Sequence, residues 1–223
     1  MLFRDRTDAG QLLALRLTRY AGRSDTVVLG LPRGGVPVAF EVAKALEAPL
    51  DVFMVRKLGV PGQEELAMGA AATGKIRVLN EALIRELGIS EETIESVAAE
   101  EERELQRREQ LYRHDSMPCQ LTGKTVILVD DGLATGSTMH AAVLALRRQQ
   151  PARLVVAVPV AAASSCEEFK NDVDEIVCAT TPEPFYSVGE WYEQFSQTSD
   201  QEVQDLLRRA SRQAPDPAPG SEA

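Results

Sequence analysis

The residues best suited to chemistry in this chain lie between Val126 and Thr138, in the run Val-Ile-Leu-Val-Asp-Asp-Gly-Leu-Ala-Thr-Gly-Ser-Thr. Its two adjacent acids, Asp130 and Asp131, offer the oxygen acceptors that sugar hydroxyls need and the hard ligands that Mg²⁺ prefers. The small residues that follow, from Ala134 onward, can direct backbone N–H groups and hydroxyls at one point, which favours a phosphate dianion. Together the two halves predict a site for a phosphorylated ribose.

A strand and a helix are needed to hold these groups in place. The residues from Val126 to Val129 are rich in β-branched side chains and are bounded by turn formers, which predicts a buried parallel strand. A helical pattern of apolar residues includes Ala141, so the small-residue loop lies at a helix N-terminus. The acids then lie at the carboxyl end of the strand, where open α/β sheets bind their ligands.

A second strand end carries an arginine beside two glycines. The residues from Thr26 to Leu31 predict a core strand, and the turn Pro-Arg-Gly-Gly follows it before a helix from about Val38. Gly34 lets backbone N–H groups approach a ligand closely, and the Arg33 guanidinium can bind phosphate oxygens. The alternative is an ordinary glycine turn with a surface arginine.

Basic residues also follow the next predicted strand, Leu50–Val55. Arg56 and Lys57 open a segment of Gly, Pro and charged residues, which predicts a mobile loop. Farther along it, Glu64 and Glu65 are candidates for a closing or proton-handling role, although most exposed acid pairs are only solvated. The basic pair likewise is either a ligand contact or a solvated pair at a strand end.

The stretch Val126–Thr138 resembles the signature with which type I phosphoribosyltransferases bind 5-phosphoribosyl-1-pyrophosphate (PRPP). The shared features are four apolar residues, two acids, a short spacer and the run Ala-Thr-Gly-Ser-Thr. Response-regulator-like and phosphatase-like α/β proteins also end an apolar strand in acids, but they do not require the Thr-Gly-Ser-Thr half. The resemblance covers most of the chain, roughly residues 10–200.

This resemblance implies a fold and an activity. The fold is a doubly wound, mainly parallel α/β sheet flanked by helices, with a helical insertion and a small C-terminal hood, and the alternation of predicted strands and helices agrees with it. The activity is that of a phosphoribosyltransferase, a glycosyltransferase of the pentosyltransferase class. Such an enzyme uses Mg²⁺ and PRPP, transfers ribose 5-phosphate to a small nitrogenous base and releases pyrophosphate. The resemblance also implies a homodimer and a role in nucleotide metabolism.

The resemblance further implies roles for individual residues. Asp130 and Asp131 would hold the ribose 2- and 3-hydroxyls and, indirectly, the Mg²⁺ ion, and Asp131 would take part in catalysis. The 5-phosphate would be bound by Ala134, Thr135, Gly136, Ser137 and Thr138, and the pyrophosphate by Arg33 and Gly34. Catalysis at the leaving group would fall to Arg56 and Lys57. The base would stack on Phe185, Tyr186 or Trp191. The three rings could equally anchor the terminal segment on the core. Adenine phosphoribosyltransferases carry a run similar to Arg-Lys-x-Gly-x-x-Pro-Gly here, in a loop that closes over the reacting bond.

The acceptor and the activity itself have alternatives. Hypoxanthine-guanine-type enzymes carry an acid that handles the proton of the base, whereas this chain has Ala134 at the corresponding position. An alternative of another class is a regulatory protein that binds PRPP or a nucleotide without chemistry. Such regulators usually add a basic nucleic-acid surface or a helix-turn-helix, which this acidic sequence does not suggest.

Composition narrows the partners and the compartment. The chain has 223 residues and a formal net charge of −10, which opposes non-specific binding to nucleic acid. No run approaches the roughly 20 apolar residues of a membrane span and no signal core opens the chain, so a cytoplasmic protein without a membrane contact is expected. Cys119, Cys166 and Cys178 lack a pairing or metal spacing and are predicted to be free thiols. His114 and His140 share no ligand spacing, which argues against a zinc site.

One further motif has the spacing of a phosphate loop and is rejected. In Gly69–Lys75 the glycines and the lysine fit, but Ile76 stands where a Mg²⁺-binding Ser or Thr is required. A strand-like piece follows it instead of a helix. The run from Thr73 to Lys75 is therefore predicted to be a hairpin turn.

The remaining sequence is organised around one predicted domain, residues 1–212. Between about residues 80 and 115, a short helix from Asn80 and a long charged helix to about Tyr112 form an insertion that adds no recognisable catalytic set. Residues 213–223 contain three prolines among small and acidic residues and are predicted to be a disordered tail.

Overall fold

The computed structural model of the chain describes residues 2–113 and 118–212, except for the side chains of Glu64 and Glu65. The predicted tail and His114 lie outside the described residues. The helices are α1 (Arg6–Arg16), α2 (Gly35–Leu46), α3 (Glu81–Leu87), α4 (Glu91–Arg113), α5 (Ser137–Arg148), α6 (Ala163–Glu168) and α7 (Asp200–Ser211). The strands are β1 (Thr26–Gly30), β2 (Leu50–Val52), β3 (Val55–Val60), β4 (Gln63–Ala72), β5 (Ile76–Leu79), β6 (Thr125–Val129), β7 (Arg153–Val160) and β8 (Glu175–Thr180). Within the described ranges, no helix has the length and apolar character needed to cross a membrane.

The central sheet has five parallel strands in the order β2-β1-β6-β7-β8, with helices on both faces. Val126 and Leu128 of β6 pack against α5, while Ile127 and Val129 pack on the side of α1 and α2. Successive side chains of a strand point to opposite faces, so a strand buried on both faces needs an unbroken apolar run. The doubly wound parallel sheet predicted from the sequence is confirmed.

A second, antiparallel sheet, in the order β3-β4-β5, occupies the segment that follows β2. The prediction of a mobile loop after Arg56 was therefore wrong, because these residues form β3, a tight turn at Pro61 and Gly62, and the start of β4. Leu58 of β3 is fully buried in a cluster with residues of α3 and α4. This long-range packing, which no local pattern reveals, favours a strand over the loop.

The other local predictions in this region are confirmed. The turn from Thr73 to Lys75 joins β4 to β5. Asn80 caps α3 by accepting a hydrogen bond from the Leu83 N–H at 3.1 Å, and Gly88 ends the helix with a φ of 63°. The apolar stripe of α4 packs against the second sheet and against α7.

The C-terminal end of α4 is anchored to the central sheet by a buried ion pair. Arg113 donates from Nε and Nη2 to the two oxygens of Asp51, at 3.0 and 3.2 Å, and from Nη2 to the Val52 carbonyl at 2.7 Å. The same carboxylate accepts hydrogen bonds from the N–H groups of Val52 and Cys119, at 2.7 and 3.0 Å. These contacts fix the long helix to β2.

The cysteines differ from the prediction. Cys166 of α6 and Cys178 of β8 form a disulfide, so the prediction of free thiols was wrong for these two. Their separation of 12 residues marks no pair by itself, and only the packing of α6 on β8 brings them together. Cys119 is free, and burial raises the pKa of its thiol to about 11.

Candidate functional site

The carboxyl ends of β1 and β6 lie side by side at the centre of the sheet, where Gly30 pairs with Val129. The turn that follows β1 therefore runs beside the acids that follow β6. The Leu31 N–H donates to the Val129 carbonyl at 2.9 Å, which extends the pairing into the turn. Two of the predicted groups, the turn containing Arg33 and Gly34 and the acid pair, are thus brought together.

Two glycines allow this turn to touch the acids. A side chain at Gly34 would collide with the carboxylate of Asp131. A Cβ at Gly35 would lie 2.7 Å from the Val129 carbonyl oxygen and 2.8 Å from the Asp130 Cα. Both distances are shorter than van der Waals contact, so the close approach of the two backbones requires glycine at each position.

The two acids are half-buried side by side and face different groups. Asp130 lines a cleft with the small-residue loop, and its Oδ1 accepts a hydrogen bond from the Asp131 N–H at 2.9 Å. Burial and the charge of Asp131 raise the pKa of Asp130 well above its usual value. Burial also raises the pKa of Asp131, although Arg6, whose Nε donates to Asp131 Oδ2 at 2.8 Å, opposes that shift. A bound cation or hydroxyl donors would stabilise the ionised forms of such a pair.

The small-residue loop forms a cleft of about 180 Å³ at the start of α5. Gly136 adopts a left-handed conformation, with a φ of 71°, immediately before the helix. The first backbone N–H groups of α5 have no partner within the helix, so they are available to an anion in this cleft. The five residues assigned to the 5-phosphate all line it, namely Ala134, Thr135, Gly136, Ser137 and Thr138.

The outer side of this loop is braced by neighbouring elements. Leu133 donates from its N–H to the Val160 carbonyl at 2.9 Å and accepts at its own carbonyl from the Ala162 N–H at 3.1 Å. The Ser165 hydroxyl donates to the Ala134 carbonyl. A loop held in this way does not have to become ordered when a ligand binds, which lowers the entropic cost of binding.

Of the two basic residues predicted to contact the leaving group, Arg56 and Lys57, only Arg56 faces this edge of the sheet. Arg56 lines a small cleft, of about 40 Å³, together with Pro32 of the glycine turn and Thr138 of the loop. Its Nε donates to Glu101 of α4 at 2.6 Å. Lys57 is exposed and points to the opposite face of β3, because side chains alternate along a strand.

Arg33 extends from the glycine turn toward the first residue of α7. Its Nη1 lies 4.0 Å from Oδ1 of Asp200, which also accepts a hydrogen bond from the Tyr112 hydroxyl at 2.5 Å. Burial, followed by this hydrogen bond, raises the pKa of Tyr112 to about 12. The Arg33 side chain remains 34% exposed, so its guanidinium is accessible to an anion above the turn.

The three predicted aromatic residues do not share one environment. Phe185 and Trp191 pack into an apolar cluster that includes residues of α1 and β7, so they anchor the C-terminal segment. Tyr186 has 77% of its surface exposed. The side chain that stands over the small-residue loop is Val188, which lies against Gly132 and lines the same cleft.

Sequence reasoning missed two side chains that contact Asp131. One is Arg6 of α1, and the other is Tyr192, whose hydroxyl donates to the Asp131 carbonyl at 2.6 Å. Burial raises the pKa of Tyr192, which keeps this hydroxyl protonated as a donor. Arg6 is 125 residues from its partner in the sequence, so no local motif could mark it.

The acid pair fits a Mg²⁺ ion only together with oxygens from a ligand or from water. Among the residues that the structure describes, no group of three or more His, Cys, Asp and Glu side chains is placed to hold a metal. Mg²⁺ commonly binds through one or two carboxylates and completes its shell with water and substrate phosphates. Asp130 and Asp131 supply two carboxylates whose burial and mutual repulsion a cation would offset.

Comparison with known proteins gives consistent matches over nearly the whole chain. Residues 6–202 match the family described as "Phosphoribosyl transferase domain". Two Mycobacterium tuberculosis proteins, from the strains CDC 1551 / Oshkosh and ATCC 25618 / H37Rv, have names that contain the words phosphoribosyl transferase. Each is 48% identical over 211 residues, which is 95% of this chain and 47% of the relative, so the chain spans about half the length of these curated relatives.

A solved structure also matches closely. The crystal structure of the protein TT1426 from Thermus thermophilus is 42% identical in sequence, with a TM-score of 0.85. The match covers 94% of this chain and 99% of that chain. The overall fold is therefore shared with a protein whose structure was determined by crystallography.

Proposed function

The chain belongs to the phosphoribosyl transferase domain family, and from that membership we propose that it transfers ribose 5-phosphate from Mg²⁺–PRPP to a nitrogenous base with release of pyrophosphate. The observation that carries this proposal is the juxtaposition at the edge of the sheet. An acid pair, a phosphate-sized cleft at a helix N-terminus and a glycine turn with an arginine lie within one continuous surface. These groups match the hydroxyls, the 5-phosphate and the pyrophosphate of PRPP.

The proposed reaction breaks one bond and forms another at the ribose C1. The bond from C1 to the pyrophosphate oxygen breaks and pyrophosphate leaves with the electron pair. The lone pair of a base nitrogen forms the new bond to C1 through an oxocarbenium-like transition state, and the proton on that nitrogen passes to water. Asp130 accepts hydrogen bonds from the ribose hydroxyls, and the N–H groups at the start of α5 bind the 5-phosphate. Arg33 and the glycine turn hold the departing pyrophosphate. The protein thus acts mainly by orienting the reactants and stabilising the leaving group's charge.

Mg²⁺, when bound through the acid pair and the substrate oxygens, would supply positive charge against the pyrophosphate. Arg56 is proposed to add to this charge, because it lines the small cleft beside the glycine turn. Lys57 lies on the opposite face of β3, and its role at the leaving group stays a prediction. Tyr186 is the most exposed of the three candidate rings and is proposed as the platform for the base.

The wider setting is proposed on the same basis. Residues 1–212 would act as one phosphoribosyltransferase domain, and the protein would work as a homodimer, as the family resemblance implies. A cytoplasmic location is proposed because the substrate is multiply charged and a charge is costly to move into a bilayer.

The direct test is to incubate the protein with PRPP, Mg²⁺ and a panel of purines, pyrimidines and related amines while pyrophosphate release is measured. We expect release with one class of base and none when Mg²⁺ is chelated. Tight PRPP binding without release from any base would favour the regulatory alternative. Failure to bind PRPP at all would exclude the transferase and would leave only a regulatory protein that binds a nucleotide.

Gly34→Ala is expected to raise the KM for PRPP about tenfold or more. The added methyl group would occupy the position of the Asp131 carboxylate oxygen, so either the turn or the acid must move, and overpacking of this kind costs about 1–3 kcal/mol. The measurement is the steady-state KM with the base held at saturation. Gly123→Ala, at a φ of 72°, is the control for backbone strain away from the site: it should lower stability but leave this KM unchanged. An unchanged KM for Gly34→Ala would mean that PRPP binding does not depend on the close approach of the glycine turn to Asp131.

A further inference from the structure

We propose that Arg6 is a positioning residue for PRPP binding, which acts by fixing the carboxylate of Asp131. The inference rests on the proposed function and deepens it, since it assigns a role to an N-terminal residue outside every motif that suggested the site. It also divides the work of the acid pair. Asp130 faces the ligand cleft, while one oxygen of Asp131 is committed to the protein itself.

Arg6 joins three separate segments with one guanidinium. Its Nε donates to Asp131 Oδ2 at 2.8 Å, and its Nη1 donates to the Ser196 carbonyl at 2.7 Å. The same group lies over the Phe195 ring, 4.1 Å from the ring centre. Only 12% of the Arg6 side chain is exposed. The planar fork of an arginine suits this combination of two directed hydrogen bonds and a stacked ring, which a lysine cannot reproduce.

The surroundings of Asp131 leave it little freedom. Arg6 holds the carboxylate, and Tyr192 donates to the main-chain carbonyl of the same residue at 2.6 Å. The glycine turn closes the third side, since a Cβ at Gly34 would lie 3.3 Å from the Arg6 Nε and would collide with the carboxylate. Arg6 therefore connects the N-terminal helix, the acid pair and the C-terminal segment at the point where the pyrophosphate turn passes.

This arrangement has a consequence for affinity. Without Arg6, the Asp131 carboxylate could turn about its side-chain torsions and would have to be ordered by each incoming substrate. With Arg6, that ordering is complete before PRPP arrives. We expect the loss of this preorganisation to weaken PRPP binding roughly tenfold.

The neighbouring Arg4 provides a matched control. It is two positions away and also pairs with an acid, Asp8, at 3.3 Å. Its side chain is 71% exposed, so this is an ordinary surface ion pair of small energetic effect. Arg4→Gln therefore removes the same charge from the same segment without touching Asp131.

The experiment is a double-mutant cycle with Arg6→Gln, Asp131→Asn and the combined variant. The dissociation constant for PRPP is measured by calorimetry at a fixed Mg²⁺ concentration. We expect Arg6→Gln to weaken binding roughly tenfold in the native background and less than about twofold when Asp131 is already Asn, because Arg6 acts through that carboxylate. Arg6→Lys should recover part of the loss, since the ammonium retains the charge beside Asp131. Arg4→Gln should bind PRPP as the native protein does.

Several results would overturn the inference. An equal loss in both backgrounds would mean that Arg6 does not act through Asp131, and tighter binding by Arg6→Gln would mean that Arg6 blocks the site. If Arg6→Gln fails to fold, Arg6→Lys carries the test, and native affinity in that variant would reject the need for the full guanidinium contact set. A native protein that binds PRPP without this coupling overturns only the inference, whereas a native protein that does not bind PRPP overturns the proposed function as well.

Discussion

Replacing Asp130 and Asp131 together by Asn is expected to lower the affinity for Mg²⁺–PRPP at least about a hundredfold. A hydrogen bond to a charged group contributes about 1.5–3 kcal/mol, so two acceptors contribute about 3–6 kcal/mol, and each 1.4 kcal/mol is a factor of about ten. Any contribution of the acids to holding Mg²⁺ would be lost in addition. Calorimetric titration of the double variant with PRPP in the presence of Mg²⁺ measures the effect.

The same double variant is expected to remain folded. Burial raises the pKa of both acids, which means that the folded protein binds their protons more tightly than the unfolded chain does. Their contribution to stability is therefore fully present below the ordinary Asp pKa, and it is lost as the pH rises through the raised pKa values. Asn does not ionise, so the stability of the variant should not fall over this pH range. Part of that advantage is offset because the variant loses the ion pair between Arg6 and Asp131. Urea unfolding of both proteins from acid to neutral pH checks the sign.

A matched control separates the site from the general effect of removing two charges. Glu91 and Glu92 are also adjacent acids, and both are exposed at the start of α4. Replacing both by Gln changes the net charge equally, and PRPP affinity should remain native. If the variant with Asn at both positions of the acid pair binds PRPP as tightly as the native protein, the assignment of this site is wrong.

The parts of the fold that follow from local sequence could be predicted well. An apolar run as continuous as Val126–Val129 has few alternatives to a strand buried on both faces, and small residues followed by a helical pattern locate the loop beside it. The glycine turn was likewise visible, because Arg33 and Gly34 follow directly on another such strand. Local order along the chain is sufficient for features of this kind.

The remaining features depend on contacts between distant segments. Leu58 stabilises β3 only because α3 and α4, which come later in the chain, cover it. Arg6 touches Asp131 from the other end of the sequence, and Tyr192 reaches the same residue from the C-terminal side. Their residue types are ordinary for exposed or anchoring positions, so no pattern within one segment could mark them. The aromatic residues could not be distinguished from the sequence either, because Phe185 packs against the core whereas its neighbour Tyr186 is exposed.

Arg113, at the end of α4, also makes a contact that no local sequence pattern predicts. Its replacement tests how much the buried ion pair with Asp51 contributes to stability. Acids and arginines along this helix indicate a solvated face, yet the Arg113 side chain is only 7% exposed and is paired with Asp51. Arg113→Met is expected to lower the free energy of unfolding by about 3 kcal/mol, because it leaves a buried carboxylate without its counter-ion. The measurement is urea unfolding, analysed at equal slope for variant and native protein.

Two further variants decide whether the buried charge is the cause. Arg107→Met on the same helix removes an arginine that is 63% exposed and paired with Glu104, so it should change the free energy of unfolding far less than Arg113→Met does. Combining Arg113→Met with Asp51→Asn should recover part of the loss, because no charge then remains buried. The recovery is only partial, because the N–H groups of Val52 and Cys119 bind different oxygens of Asp51 and an amide has one oxygen. A loss for Arg113→Met no larger than that for Arg107→Met would show that the pair contributes little. The end of α4 would then be held mainly by its apolar contacts with α7 and β2 and by the hydrogen bond from Tyr112 to Asp200.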